Sequence, residues 1–259
     1  DTGDKVTITG ENFGTDPSDI SVSFNGTPAE FELVDESTIV ATTPADYKTG
    51  NVTVTIHGYT MTGSAMFNPN SKGDVTVLYL QNYKQPFAKA NDESWKNGEW
   101  WTPAVWNQNA ASFNAKGNTT VSGMQYKSEE GLTLAFQNGW DKEAYTNGKM
   151  WQVATLRPGK YRLEVTYAYT LVVTDAGNFI SVLIAKGDSE SDIPNVADLE
   201  QLNGVYVAYD KMGTANDSGT LVTPSFEVTE TTDVVIGFLT SLAKGNSYFK
   251  VTELKLILE

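Results

Sequence analysis

Short runs of alternating apolar and polar residues recur from one end of this chain to the other, and that period of two is the mark of β-strands. In the first part the runs fall at residues 6–9, 20–24, 31–33, 38–40 and 52–56. Turn signals separate them: Gly10-Glu11-Asn12-Phe13-Gly14, Asn25-Gly26 and Thr49-Gly50-Asn51. Short strands at this spacing predict a small sandwich. Residues 68–74, Asn-Pro-Asn-Ser-Lys-Gly-Asp, have nothing to bury and the composition of a linker. Further runs at 75–80, 132–136, 161–167, 179–184, 205–207, 226–228, 234–238 and 249–256 predict a second, larger, jelly-roll-like sandwich. Only residues 196–202 read as helical, and strands do not alternate with helices, which argues against a parallel α/β fold. The expected fold class is all-β: two β-sandwiches over 1–68 and 75–259, joined by 69–74.

Composition excludes several chemistries. The chain has no cysteine, so thiol catalysis, disulfides and sulfur-ligated metals are absent. Its single histidine, His57, excludes multi-histidine metal sites and reads as a surface residue at a strand end. A net charge of −14, spread along the chain rather than blocked, repels phosphate backbones and makes nucleic acid a poor partner. No run of about 18 apolar residues is present to cross a membrane as a helix. The first residues do not read as a signal peptide. Between residues 81 and 127 the alternation breaks down into a long stretch rich in Asn, Trp, Lys and Gly, expected to be irregular.

Residues 6–14 (Val-Thr-Ile-Thr-Gly-Glu-Asn-Phe-Gly), Val22-Ser23-Phe24-Asn25-Gly26, Thr38-Ile39-Val40-Ala41-Thr42-Thr43-Pro44 and Gly50-Asn51-Val52-Thr53-Val54 resemble the IPT/TIG family of immunoglobulin-like modules. In that pattern Gly10 and Gly14 are expected at positive φ, with Phe13 plugging the sandwich end. The proline-bearing strand that usually precedes Gly3 is absent, which implies trimming upstream of residue 1. Residues 156–163 (Leu-Arg-Pro-Gly-Lys-Tyr-Arg-Leu) and 248–256 (Tyr-Phe-Lys-Val-Thr-Glu-Leu-Lys-Leu) resemble the sandwich that follows IPT/TIG modules in Bacteroidetes surface lipoproteins, and galactose-binding-like jelly rolls. The resemblance implies glycan capture at the outer-membrane surface, an anchor upstream of residue 1, and transport or adhesion proteins as partners.

Tryptophan is the residue type that points most directly to a ligand. Four of the six fall within twelve residues, Trp95, Trp100, Trp101 and Trp106, with Trp140 and Trp151 beyond. Sugar rings have apolar C–H faces that stack on aromatic rings, while amides and carboxylates bond their hydroxyls. The candidate platform is therefore Trp100, Trp101, Trp106 and Trp140, with Asn107, Gln108, Asn138 and Asp141 orienting hydroxyls. Extended chain puts Trp100 and Trp101 on opposite sides. Trp151, inside an apparent strand, reads as core. No cofactor is called for. A structural calcium ion is the one ion its oxygen-rich turns would accept, at Asn91-Asp92-Glu93 or Thr174-Asp175-Ala176-Gly177-Asn178.

The expected function is non-catalytic capture of an oligo- or polysaccharide by the second sandwich, with the first as a spacer. The alternative is a protein-interaction or adhesion module whose tryptophans are core. A third reading, a glycoside hydrolase, needs two carboxylates about 5–10 Å apart across a sugar site, with Glu99, Asp141 and Glu143 as candidates.

Overall fold

The computed structural model describes residues 3–45, 47–67, 72–94, 100–112, 122–138, 144–172, 177–213, 215–243 and 247–259. The chain divides into two units, Asp1–Lys72 and Gly73–Glu259.

The first unit contains β1 (Lys5–Thr9), β2 (Ile20–Phe24), β3 (Thr27–Ala29), β4 (Phe31–Asp35), β5 (Thr38–Thr42), β6 (Gly50–Ile56) and β7 (Tyr59–Phe67). They form two sheets, β1-β5-β4 and β3-β2-β6-β7. Phe13, Ile20, Val22, Phe24, Ile39, Ala41 and Val54 fill the space between them. Two-residue turns close the hairpins β2–β3 and β6–β7, and both central residues of each have positive φ: Asn25 with Gly26, and His57 with Gly58. That is the turn whose twist matches paired strands. His57 is accordingly a surface turn residue, 3.6 Å from the Asp19 carboxylate. Gly14 has φ +82, as expected, but Gly10 is not left-handed. A side chain at Gly10 would instead collide with the ring of Phe13, so close packing fixes that glycine.

The second unit contains β8 (Gly73–Asp74), α1 (Thr76–Tyr79), β9 (Lys89–Ser94), β10 (Trp100–Pro103), β11 (Asn107–Gln108), β12 (Ser122–Lys127), β13 (Gly131–Asn138), β14 (Tyr145–Leu156), β15 (Gly159–Val172), β16 (Phe179–Lys186), α2 (Leu199–Leu202), β17 (Val207–Lys211), β18 (Ala215–Val222), β19 (Phe226–Val228), β20 (Thr232–Leu242) and β21 (Ser247–Leu258). One sheet runs β18-β15-β21-β13-β12-β10-β9, with β19 added on β15 and β8 on β21. The other runs β11-β14-β20-β16-β17. Phe136 and Phe249 of the first meet Phe238 of the second at ring separations of 4.9 and 6.3 Å, in the main core.

Two further expectations are corrected. Residues 75–80 do not form a strand: after Val75 the chain makes the single turn α1. Asp74 accepts hydrogen bonds from the Thr76 amide (3.0 Å) and hydroxyl (2.5 Å), and that hook outweighs the β-propensity of Val-Thr-Val. Residues 81–127 are not irregular throughout, because β9, β10, β11 and β12 lie there.

The five-stranded sheet is apolar on both faces. Ile180, Val182, Ile184, Val234, Ile236 and Phe238 face the main core. Trp151, Leu183, Ala185, Val207, Val235 and Leu239 face a second cluster, closed by Ile193 and Leu199 from the connection between β16 and β17. Asp192 fastens that connection. It accepts from the Ser189 hydroxyl (2.6 Å), the Ser189 and Asp188 amides (3.0 and 3.1 Å) and the Tyr206 hydroxyl (3.1 Å). These bonds, Ser189's hydroxyl foremost, hold the Asp192 carboxyl below the usual aspartate range. A depressed carboxylate pKa stabilises the fold above the unfolded value and stops doing so as pH falls through the folded one. Asp192→Asn is therefore expected to remove about 1 kcal/mol at neutral pH, allowing for solvent screening, and to flatten the acid side of the stability curve. Denaturant midpoints measured from neutral into acid pH check this; parallel curves for variant and wild type would refute it.

Candidate functional site

The sequence-predicted platform does not assemble as expected. Trp100 is 2% exposed and Trp106 is 5% exposed, so neither offers a ring face to a ligand. A ring this large gains most when fully removed from water. Trp106 donates its indole N–H to the Asn82 carbonyl (3.0 Å) and packs against Phe238 in the main core. Asn138 is also buried, its amide donating to the Ala243 carbonyl. Gln108 donates to the Ser122 hydroxyl (3.0 Å), while Asn107 is exposed on β11. Trp151 packs in the second cluster, a core position.

Register explains how Trp100 and Trp101 part. Trp100 lies opposite Gln125, on the outer face of the nine-stranded sheet. Trp101 lies opposite Met124, a main-core residue, on the strand next to the edge strand β9. There it is half-buried, with the Lys89 ammonium 5.9 Å from its ring, in a slot shared with Phe87, Tyr126 and Leu132. The other two platform residues, Trp140 and Asp141, lie outside the described residues, as do Trp95, Glu99 and Glu143. The first calcium candidate, Asn91-Asp92-Glu93, lies on β9 with its side chains outside the described set, and the second loses Thr174, Asp175 and Ala176. The second candidate's remaining side chain, Asn178, is buried, bonding the Ser247 hydroxyl and the Ala243 amide at 2.8 Å. Among the described residues no cluster of three His, Asp or Glu could hold a metal.

A different site emerges from the strand period. Leu134, Phe136, Phe249 and Val251 face the main core, so their neighbours Ala135, Gln137, Tyr248 and Lys250 face outward. Between them lies an open groove of about 570 Å³, lined also by Lys127, Glu130, Tyr169 and Asp217. Lys250 is buried in its floor with its side chain 4% exposed, ion-paired to Glu130. Its ammonium also stands 5.4 Å from the Tyr248 ring centre.

Tyr169 reaches the groove through an irregularity in β15. Along that strand Tyr161, Leu163, Val165 and Tyr167 pack with the main core, and strict alternation would send Tyr169 inward too. One extra residue intervenes. Between Tyr167 and Thr170 the strand has two residues where β18 has one, and between Tyr167 and Leu171 it has three where β21 has two. Tyr169 has φ +52 and lies 41% exposed. Asp217, opposite Thr170 on β18, has φ +82. Each such conformation costs about 1–3 kcal/mol in a residue other than glycine. The groove thus presents two phenol rings, a carboxamide, two carboxylates and two ammonium groups. Neither tyrosine carried a signal in the sequence: Tyr169 lies two residues past the run read at 161–167, and Tyr248 just before the run read at 249–256.

The family described as Domain of unknown function (DUF5013) matches residues 81–237, and the IPT/TIG domain matches residues 1–72. No curated protein matches the chain. Among solved structures, the enzymatically active domain of tailspike protein 4 from bacteriophage CBA120 is 10% identical over 60% of this chain, with a TM-score of 0.37. This chain covers only 20% of that protein's length. TmCBM61, solved with β-1,4-galactotriose, is 11% identical over 69% of this chain and 92% of its own, with a TM-score of 0.30. The xylan-binding module CBM15 is 13% identical over 60% of this chain and 96% of its own, with a TM-score of 0.32.

Proposed function

This chain belongs to the DUF5013 family, carried behind an IPT/TIG domain, and from that premise we propose that its second unit binds a glycan without transforming it. One observation carries the reading: Tyr169 and Tyr248 stand in an open groove among Gln137, Asp217, Glu130 and Lys127. Aromatic faces take the C–H side of a sugar, and fixed amide and carboxylate groups take its hydroxyls. An open groove on a sheet face suits a polymer that enters and leaves sideways. The absence of chemistry is supported by Glu130, whose carboxylate is committed to Lys250 rather than left to move a proton.

The test is affinity electrophoresis and calorimetric titration of the purified chain against soluble β-glucan, β-galactan, xylan and mannan. The wild type is expected to bind at least one. Tyr248→Ala is expected to weaken that binding about tenfold, as loss of one stacked ring implies. No binding by the wild type, or unchanged binding by a folded Tyr248→Ala, would sink the proposal.

A further inference from the structure

We infer that Tyr169 and Asp217 are the specificity-determining pair of this groove and that they select a neutral sugar; the inference rests on the glycan reading above. Ten glycines and eight other residues, four of them asparagine, hold positive φ among the described residues. Inside described strands, left-handed residues other than glycine are Asn147, Tyr169 and Asp217. Asparagine and aspartate tolerate that conformation better than most, and tyrosine does not. Two of the three line one groove, across adjacent strands, beside the same bulge. Bulges re-aim side chains, and here the extra residue turns out a ring that alternation would have buried.

Charge narrows the ligand class. The groove's lining has two cations, Lys127 and Lys250, and two anions, Glu130 and Asp217. Lys250 already faces Glu130 and Lys127 balances Asp217, so the lining offers no net attraction to a uronate or sulfate. A carboxylate with both oxygens available accepts from two neighbouring hydroxyls, which a neutral ring supplies. Tyr169 stacks on the ring's apolar face while Asp217 reads its hydroxyls, and the strand pairing on either side of the bulge holds both in place before the sugar arrives.

Four proteins test this: wild type, Tyr169→Gly, Tyr169→Asn and Asp217→Asn. Each is melted, then titrated with the four neutral polysaccharides and with polygalacturonate. Glycine relieves the strain and removes the ring; asparagine tolerates φ > 0 and also removes the ring. Both Tyr169 variants are expected to lose at least about tenfold in affinity. Tyr169→Gly is expected to melt at or above the wild-type temperature. Asp217→Asn, which keeps the shape, is expected to change the ranking of the neutral polymers. Unchanged affinity in both Tyr169 variants, with wild-type binding present, overturns the pair and leaves the glycan reading standing. A fall of more than about 4 °C in Tyr169→Gly means the ring holds the bulge together, and overturns the stored strain. Preference for polygalacturonate overturns the neutral ligand. No binding of any polymer by the wild type overturns the glycan reading and this inference with it.

Discussion

Replacing Gly237 with alanine is expected to destabilise the second unit by about 3 kcal/mol or more, lowering its melting transition by roughly 6–12 °C. Gly237 lies in β20, the middle strand of the five-stranded sheet, opposite Trp151 of β14 and Leu183 of β16. A side chain there would run into the Met150 carbonyl oxygen and come within 2.7 Å of the Trp151 Cα. Both obstacles are backbone, so no rotamer change relieves them. Shifting β14 instead would drag Met150 out of the main core and Trp151 out of the second cluster. Interiors at crystal-like density do not absorb such a shift cheaply. Calorimetry of the whole chain reads the effect on the second unit's transition. A loss below about 1 kcal/mol would mean that β14 and β20 have slack the structure does not suggest.

The strands most legible in sequence were those with one wet face. β2 (Ile20–Phe24) and β19 (Phe226–Val228) begin and end where the alternation does. β14 (Tyr145–Leu156) was missed over most of its length, although it pairs along the whole of β20. It carries Lys149 and Gln152, which break the apolar pattern yet are both 6% exposed. The Lys149 ammonium is satisfied by the Ile193 and Glu190 carbonyls at 2.6 and 3.2 Å. Burial pushes its pKa down, and Glu190 offsets part of that. Gln152 exchanges two hydrogen bonds with the Gln81 backbone. Tertiary partners make these polar residues interior, and a single-sequence period cannot contain them. At the edges, β3 includes Pro28 and β18 has few apolar residues, so neither gave a signal.

The candidate site was less legible than the fold, for a related reason. Tryptophan draws attention by its size, yet Trp100 and Trp106 are both closed off from solvent. Trp101 could be told from Trp100 by alternation, but which of the two faced the core depended on pairing with Met124. Tyr169 was hidden by a bulge that no glycine announces, and Asp217 by a strand too polar to recognise. Lys250, between Phe249 and Val251, reads as an exposed position on a half-wet strand, yet its side chain is nearly closed off from water.

That burial makes Lys250 the subject of the second large effect. Glu130→Ala is expected to destabilise the second unit by about 3 kcal/mol, Lys250→Met by less than about 1, and the double variant by no more than Lys250→Met alone. Removing the carboxylate takes a charged partner away from a side chain only 4% exposed, and the Tyr248 ring at 5.4 Å offsets only a fraction of that interaction. Removing the lysine leaves a carboxylate whose side chain is 18% exposed and can take up water. The turn itself should survive both changes, because the Glu130 backbone is held by the Lys127 carbonyl (3.2 Å) and the Gln85 side chain (2.8 Å). The asymmetry between the two single variants is the signature of a desolvated cation, since an exposed pair would give two small and equal losses. Because the pair is shielded, its coupling energy should also change little between low and high salt. Denaturation of the four proteins of this cycle at two salt concentrations measures both quantities. A cost below about 0.5 kcal/mol for Glu130→Ala would place the ammonium in contact with solvent, and Lys250 would then be a group available to ligands rather than the floor beneath them.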